Sequence, residues 1–259
     1  MRRPPPLPAL LVAVVALTAG ATGCGDGDGG TTDEPRLRVS AATSLKAAFE
    51  DLGANAEAGE PSFSFAGSDQ LAGQIRAGAK PDVFAAANEK LPAQLFAEGL
   101  VERAVPFARN RLVIAVPKEG ELTIRVVEEL AREGVRLAIG AQDVPIGSYT
   151  REVLARLPAA TSRAILANVR SEEPDVGGIV GKVAQRAVTA GLVYASDVAG
   201  AGGRLTAVAL PDALQPEVTY AVAVVRGGRS VEQARRFVAT LIGPDGQDAL
   251  RRAGLLGAP

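Results

Sequence analysis

Residues 39–52 read VSAATSLKAAFEDL, and the fold turns on this junction. Val39, Ala41 and Ala42 close a short apolar run, while Leu45, Ala48, Phe49 and Leu52 recur at i, i+3, i+4 and i+7, the spacing of a helix with one buried face. A strand therefore passes into a helix within a few residues, with Ser40, Thr43 and Ser44 at the turn. The spacing places Ser44 at or near the N-cap, where a serine hydroxyl closing its own helix contributes about 1 kcal/mol.

Three further junctions have the same character. FAGSDQLAGQI (65–75) enters a helix through small residues, with Ser68 where the first junction has Ser44. VPIGSYTREVL (144–154) enters through Pro145, Ile146 and Gly147. EEPDVGGIVGKV (172–183) sets Val176, Ile179, Val180 and Val183 on one helical face. Around these, apolar strands at 37–42, 61–67, 82–87, 111–117, 136–140, 191–196, 205–210 and 218–225 alternate with helical patterns near 88–99, 126–134, 149–157 and 179–188. The stretch between the last two helices reads as loop. Val231, Ala234, Val238 and Leu241 mark a late helix, broken at Gly243-Pro244 before QDALRRAGL. This alternation predicts an α/β architecture with mostly parallel sheets, and no internal repeat is evident. In such sheets ligands lie beyond the carboxyl ends of strands, where helix N-termini present unpaired N–H groups that favour anions. Four such ends and two serines suggest an anion held by neutral donors.

Composition narrows the chemistry. The 259 residues include no histidine and one cysteine, Cys24, which removes imidazole metal ligands, the usual base of a serine hydrolase and any intramolecular disulfide. No serine is followed at the third position by lysine, no phosphate-binding glycine loop is present, and Glu128-Glu129 and Glu172-Glu173 read as exposed pairs. The reading is therefore a non-enzyme. Arg2 and Arg3 precede an apolar run that is too short for a membrane span and ends in ATGC. Residues 1–23 form a secretory signal and 24–35 a Gly- and Asp-rich tether. ATGC resembles a bacterial lipoprotein box, with Ala21 where Leu is more usual, which makes Cys24 the lipid attachment site; a plain signal cleaved near Ala21 is the alternative. Without Arg2 and Arg3 the 28 basic residues become 26 against 29 acidic ones. The excess is acidic, and Arg235-Arg236 and Arg251-Arg252 are isolated pairs on helices, so no nucleic-acid surface is expected.

The order of these motifs over residues 36–259 resembles the molybdate-binding proteins of bacterial ABC uptake systems, a branch of the two-lobed periplasmic binding proteins. AATSLKAAFEDL corresponds to the family's first loop and helix, FSFAGSDQLAGQI to its second, KPDVFAAANEK to its third strand, GLVYASD to its late tyrosine-bearing strand, and GPDGQDALRRAGL to its ending. The resemblance implies one lobe of 36–112 with 221–259, a second of 113–220, two crossing segments near RLVIAVP and VTYAVAVV, and a ligand in the interlobe cleft. It implies a molybdate or tungstate site made of the hydroxyls and N–H groups of Ser44 and Ser68, the N–H groups of Ile146 and Val176, and the phenol of Tyr194. Relatives often have a smaller residue at 146 and a serine at Gly67. No cofactor and no metal cation are implied. A permease with its ATPase, a monomeric receptor and a place on the outer face of the cytoplasmic membrane, or in the periplasm, complete the expectation. Asp69 is expected to point outward from its helix start, Gly177-Gly178 to make no ligand contact, and Asp197 to form a turn. Tyr194 on its own could equally be a strand aromatic with its hydroxyl in water. A receptor for another oxyanion or small solute, an exported hydrolase using carboxylates, and a surface lipoprotein without ligand are the competing readings.

Overall fold

The structure is a computed structural model that describes residues 36–54, 61–120 and 122–259. The expected signal, tether and Cys24 lie outside the described residues. In chain order the strands are β1 Arg38–Ala42, β2 Ser62–Ala66, β3 Val83–Ala86, β4 Val105–Asn110, β5 Leu112–Pro117, β6 Leu137–Gly140, β7 Val169–Glu173, β8 Ala190–Tyr194, β9 Leu205–Ala209 and β10 Val218–Val224. The helices are α1 Lys46–Ala54, α2 Ser68–Arg76, α3 Lys90–Ala97, α4 Pro145–Ala155, α5 Ala159–Ala167, α6 Val176–Ala184, α7 Ala195–Ala199, α8 Val231–Ile242 and α9 Pro244–Arg252.

The strands form two five-stranded sheets, ordered β2-β1-β3-β10-β4 and β7-β6-β8-β5-β9. Both follow one plan. Three parallel strands are followed by an antiparallel strand in fourth place, and that strand comes from the far side of the chain's path: β10 joins the first sheet after the second is complete, and β5 joins the second directly after β4 of the first. The sheets are therefore mixed rather than mostly parallel, because the crossing strands return against the others. This two-lobed α/β plan repeats without any repeat in sequence.

Central strands are mostly apolar, as burial on both faces requires: β3, β6, β8 and β10 are buried at every residue. Helices cover both faces of the first sheet. Leu71, Ile75, Leu91 and Leu95 of α2 and α3 pack with Phe84 and Ala223 on one side. On the other, Phe49 of α1 meets Phe237 of α8 edge-on, with ring centroids 5.6 Å apart.

Several local expectations are corrected. The span 126–134 forms a 3-10 helix, Val127–Ala131, because its buried residues, Val127 and Leu130, are spaced by three and suit either helix type. The expected loop after 157 contains α5, which buries only Ile165, and edge strand β7, whose sequence is VRSEE. Edge strand β4 also escaped the pattern, since Pro106, Arg109 and Asn110 interrupt its apolar alternation. Glu173 is buried rather than exposed, with its carboxylate 2.7 Å from Lys182 Nζ.

Candidate functional site

Six parallel strands, three from each sheet, end around one cavity. Thr43 and Ser44 follow β1, Gly67 and Ser68 follow β2, and Ala87 follows β3; Val144, Pro145 and Ile146 come after β6, Asp175 and Val176 after β7, and Tyr194 ends β8. All five residues expected at the site, Ser44, Ser68, Ile146, Val176 and Tyr194, line this cavity. Its lining includes no lysine or arginine, and Asp175 is its one charged side chain.

Ser44 lies within the 3-10 turn Thr43–Leu45, whose N-cap is Ala42 with no side-chain cap. The expected capping role is thus corrected: the hydroxyl turns away from the helix start and lies 3.0 Å from the Tyr220 hydroxyl. Ser68 is the first residue of α2, behind Gly67 at the N-cap, and its Oγ accepts a 3.1 Å hydrogen bond from Ala87 N–H. That oxygen already has a protein donor, so the Ser68 hydrogen remains for the cavity.

The opposite wall uses backbone. Pro145 opens α4 and has no N–H, so Ile146 carries the first amide hydrogen of that helix. This arrangement needs close backbone approach: a Cβ on Gly147 would stand 1.8 Å from Ala141 O, and one on Gly140 would stand 2.6 Å from Gly147 N. At α6, Asp175 is the N-cap and accepts from Gly177 N–H at 2.7 Å and Gly178 N–H at 3.3 Å. Those glycine donors are engaged by the Asp175 carboxylate, and Val176, the residue before them, lines the cavity. Asp175 itself was not singled out, although an Asp directly before an apolar helical face is an N-cap signal.

Tyr194 is 1% exposed, and its hydroxyl has no hydrogen-bond partner among the described residues. Leaving a buried phenol unpaired costs on the order of 1–3 kcal/mol, and the cavity it lines is where an acceptor would repay that cost. Burial also pushes its pKa well above the ordinary tyrosine value, so it stays a neutral donor. Asp197 caps the turn after β8, accepting from Tyr194 N–H at 2.9 Å. Burial pushes the Asp197 pKa up to about 7, against the opposing pull of that hydrogen bond.

Asp69 contradicts its expected outward orientation. Gly67 supplies no side chain to cap α2, and the Asp69 carboxylate turns back over that helix start, where Oδ1 is buried without a hydrogen-bond partner among the described residues. Burial raises its pKa; hydrogen bonding to its own and the Gln70 backbone works the other way, and Asp143 and Asp175 raise it further. Both of those aspartates belong to the segments leading into α4 and α6, so negative charge from the opposite wall acts on Asp69. The walls also touch: a Cβ on Gly67 would lie 2.4 Å from Pro174 O, and one on Gly177 would lie 2.9 Å from Thr43 Cγ2.

The arrangement can surround a small, fully deprotonated oxyanion with two hydroxyls, two helix-start amides and one phenol, without a formal countercharge. Comparison with known proteins accords with this geometry. Residues 37–256 match the family model described as bacterial extracellular solute-binding protein. The chain is 34% identical over 249 residues to the molybdate-binding protein ModA of Mycobacterium tuberculosis, covering 92% of this chain and 93% of that protein. It is 30% identical over 233 residues to the molybdate-binding protein ModA of Escherichia coli, covering 86% and 89%. Among solved structures, the periplasmic molybdate-binding protein of Azotobacter vinelandii superposes with a TM-score of 0.76 at 21% identity, covering 86% of this chain and all of that one.

Proposed function

Because the chain belongs to the bacterial extracellular solute-binding protein family, we propose that it captures molybdate or tungstate outside the cytoplasm for an ABC importer. The observation that carries this reading is the hydrogen-bond polarity of the cavity. Ser68 accepts from the protein and so offers its hydrogen inward, Tyr194 has a buried phenol without a partner among the described residues, and Ile146 and Val176 stand at helix starts in the lining. Such a site suits a tetrahedral dianion that only accepts. Its desolvation is offset by fixed dipoles rather than by lysine or arginine. Phosphate, which retains a proton near neutral pH, brings an O–H that needs an acceptor, whereas the hydroxyl, phenol and amide hydrogens named above only donate, and Asp175 Oδ1 in the lining is engaged by Gly177 and Gly178 N–H.

In this reading the lobes are 36–112 with 221–259, and 113–220, and bending between them exchanges the ion with solvent. A ligand that contacts both walls favours the closed state. The loaded receptor passes the anion to a permease driven by its ATPase, and Cys24 carries the lipid that tethers the receptor to the outer face of the membrane. Binding, not chemical conversion, is the role. Calorimetric titration of anion-free protein with molybdate, tungstate, sulfate and phosphate tests it. Molybdate and tungstate should bind at least about tenfold more tightly than the other two, a gap of about 1.4 kcal/mol. Equal sulfate binding would move the assignment to a general oxyanion receptor on the same fold.

A further inference from the structure

Behind Ser44 runs a buried polar chain that reaches crossing strand β10, the end of β4 and the start of α7. Ser44 Oγ lies 3.0 Å from the Tyr220 hydroxyl in β10, the Tyr220 oxygen lies 3.3 Å from Asn110 Nδ2 at the end of β4, and the same Nδ2 lies 2.8 Å from Ser196 Oγ in α7. Asn110, Ser196 and Tyr220 are 5%, 4% and 0% exposed. Their hydrogen bonds must therefore be settled among themselves.

The direction of each bond follows from counting hydrogens. Asn110 Oδ1 accepts from Arg111 N–H at 2.9 Å, which fixes which end of the amide is oxygen and leaves Nδ2 to donate. Its two hydrogens go to Ser196 Oγ and to the Tyr220 oxygen. Tyr220 has a single hydrogen, and with its oxygen already accepting from Asn110, that hydrogen goes to Ser44 Oγ. Ser44 Oγ then accepts from the protein, as Ser68 Oγ does from Ala87, and its own hydrogen is the one left for the cavity.

We propose that Tyr220 is a positioning residue: oriented by Asn110, it holds Ser44 as an obligate donor to the bound anion and so sets the preference for ligands that only accept. The inference rests on the oxyanion reading of the cavity. A serine hydroxyl without such a backing bond can rotate and either donate or accept, and would then tolerate a ligand O–H. The role reaches the pocket from β10 and β4, the strands that lead between the sheets, so the donor orientation of Ser44 depends on both being in place.

The test is a double-mutant cycle of Tyr220→Phe and Ser44→Ala, run by calorimetric titration with whichever of molybdate, tungstate, sulfate and phosphate the wild type binds most tightly. Tyr220→Phe keeps the ring and removes only the hydroxyl. Each single change should weaken binding about tenfold, and the double variant should bind about as well as Ser44→Ala alone, because Tyr220 acts only through Ser44. Tyr220→Phe should also narrow the ratio between the tightest-binding anion and phosphate. A merely structural role would leave that ratio unchanged and would multiply with Ser44→Ala. Multiplying losses, an unchanged ratio, or wild-type affinity in Tyr220→Phe each overturn the inference alone. A wild type that binds none of the four anions overturns the oxyanion reading and this inference with it. Should Tyr220→Phe fail to melt cooperatively, Asn110→Leu removes the orienting amide without adding charge; it should give the same narrowed ratio, and an unchanged ratio overturns the inference.

Discussion

The two walls of the cavity solve the same problem with different materials. On the β1–β3 side the proposed donors are the side-chain hydroxyls of Ser44 and Ser68, and each has a second group behind it: Ala87 N–H for Ser68, Tyr220 for Ser44. On the β6–β8 side the proposed donors are the backbone amides of Ile146 and Val176 at helix starts, aimed by the fold itself, and the phenol of Tyr194. The comparison teaches where sequence is constrained. At 44 and 68 the proposed role belongs to the side chain. At 146 and 176 the proposed donor is the backbone, so the side chain answers to core packing rather than to the anion, and a further constraint falls on neighbours that let backbones approach, above all Gly140 and Gly147.

The largest effect should come from breaking the backbone wall. In Gly147→Ala the new Cβ would stand 1.8 Å from Ala141 O and 2.5 Å from Gly140 O, so the start of α4 must move away from the end of β6. We expect a loss of about 3 kcal/mol in unfolding free energy, with anion binding lost because the Ile146 amide moves with the helix. Gly73→Ala in α2 is the control, since nothing lies within 4 Å of its Cβ position. There the change should stabilise by about 0.5–1 kcal/mol through helix propensity. Denaturant melts of both variants check the contrast. A Gly147→Ala protein that melts and binds like wild type would show that the close approach is not what places the amide.

Next in size is the hydroxyl wall. Ser44→Asp keeps a partner for Tyr220 but puts an acceptor with negative charge where the anion needs a hydrogen. Binding should fall by more than about a hundredfold, which is about 2.7 kcal/mol. The melting temperature without ligand should fall only modestly, because the Tyr220 hydroxyl donates to the new carboxylate. Had Ser44 been a helix cap, this substitution would have been harmless, Asp being as good a cap as Ser. Titration and a thermal melt on the same sample separate the two roles.

What sequence could reveal follows the same division. Strands β1, β3, β5 and β10 are legible because burial on both faces demands mostly apolar runs, whereas β4 and β7 sit at sheet edges, where Pro106, Arg109 and the charged run VRSEE are permitted. Ser44, Ser68, Ile146 and Val176 stand at junctions that read as helix starts, Tyr194 was expected only from the family resemblance, and the structure gathers all five around one cavity. Their backing was not legible. Tyr220 lies in VTYAVAVV, which reads as core, and nothing in that run tells that its hydroxyl meets Ser44 from 176 residues away. Asp69 misled for a related reason: a carboxylate at a helix start is favoured wherever it points, and only the packing of Pro174 over Gly67 shows that it faces the opposite wall.

The smallest expected effect is also the sharpest test of the division between walls. Ile146 is 2% exposed, and its Cγ2 lies 2.6 Å from where a Gly140 Cβ would stand, so the side chain packs against the end of β6 while the amide serves the cavity. Ile146→Val keeps Cγ2 and the N–H and removes one buried methyl. Stability should fall by about 1 kcal/mol, the usual cost of that change in a core. Anion affinity should stay within about twofold, since the donor belongs to the backbone and its position is set by Pro145 and Gly147. Ser68→Ala, compared in the same titration, removes a donor outright and should lose about tenfold, which is about 1.4 kcal/mol. If Ile146→Val lost as much affinity as Ser68→Ala, the side chain at 146 would be shaping the anion's place directly. The second wall would then be as dependent on residue type as the first.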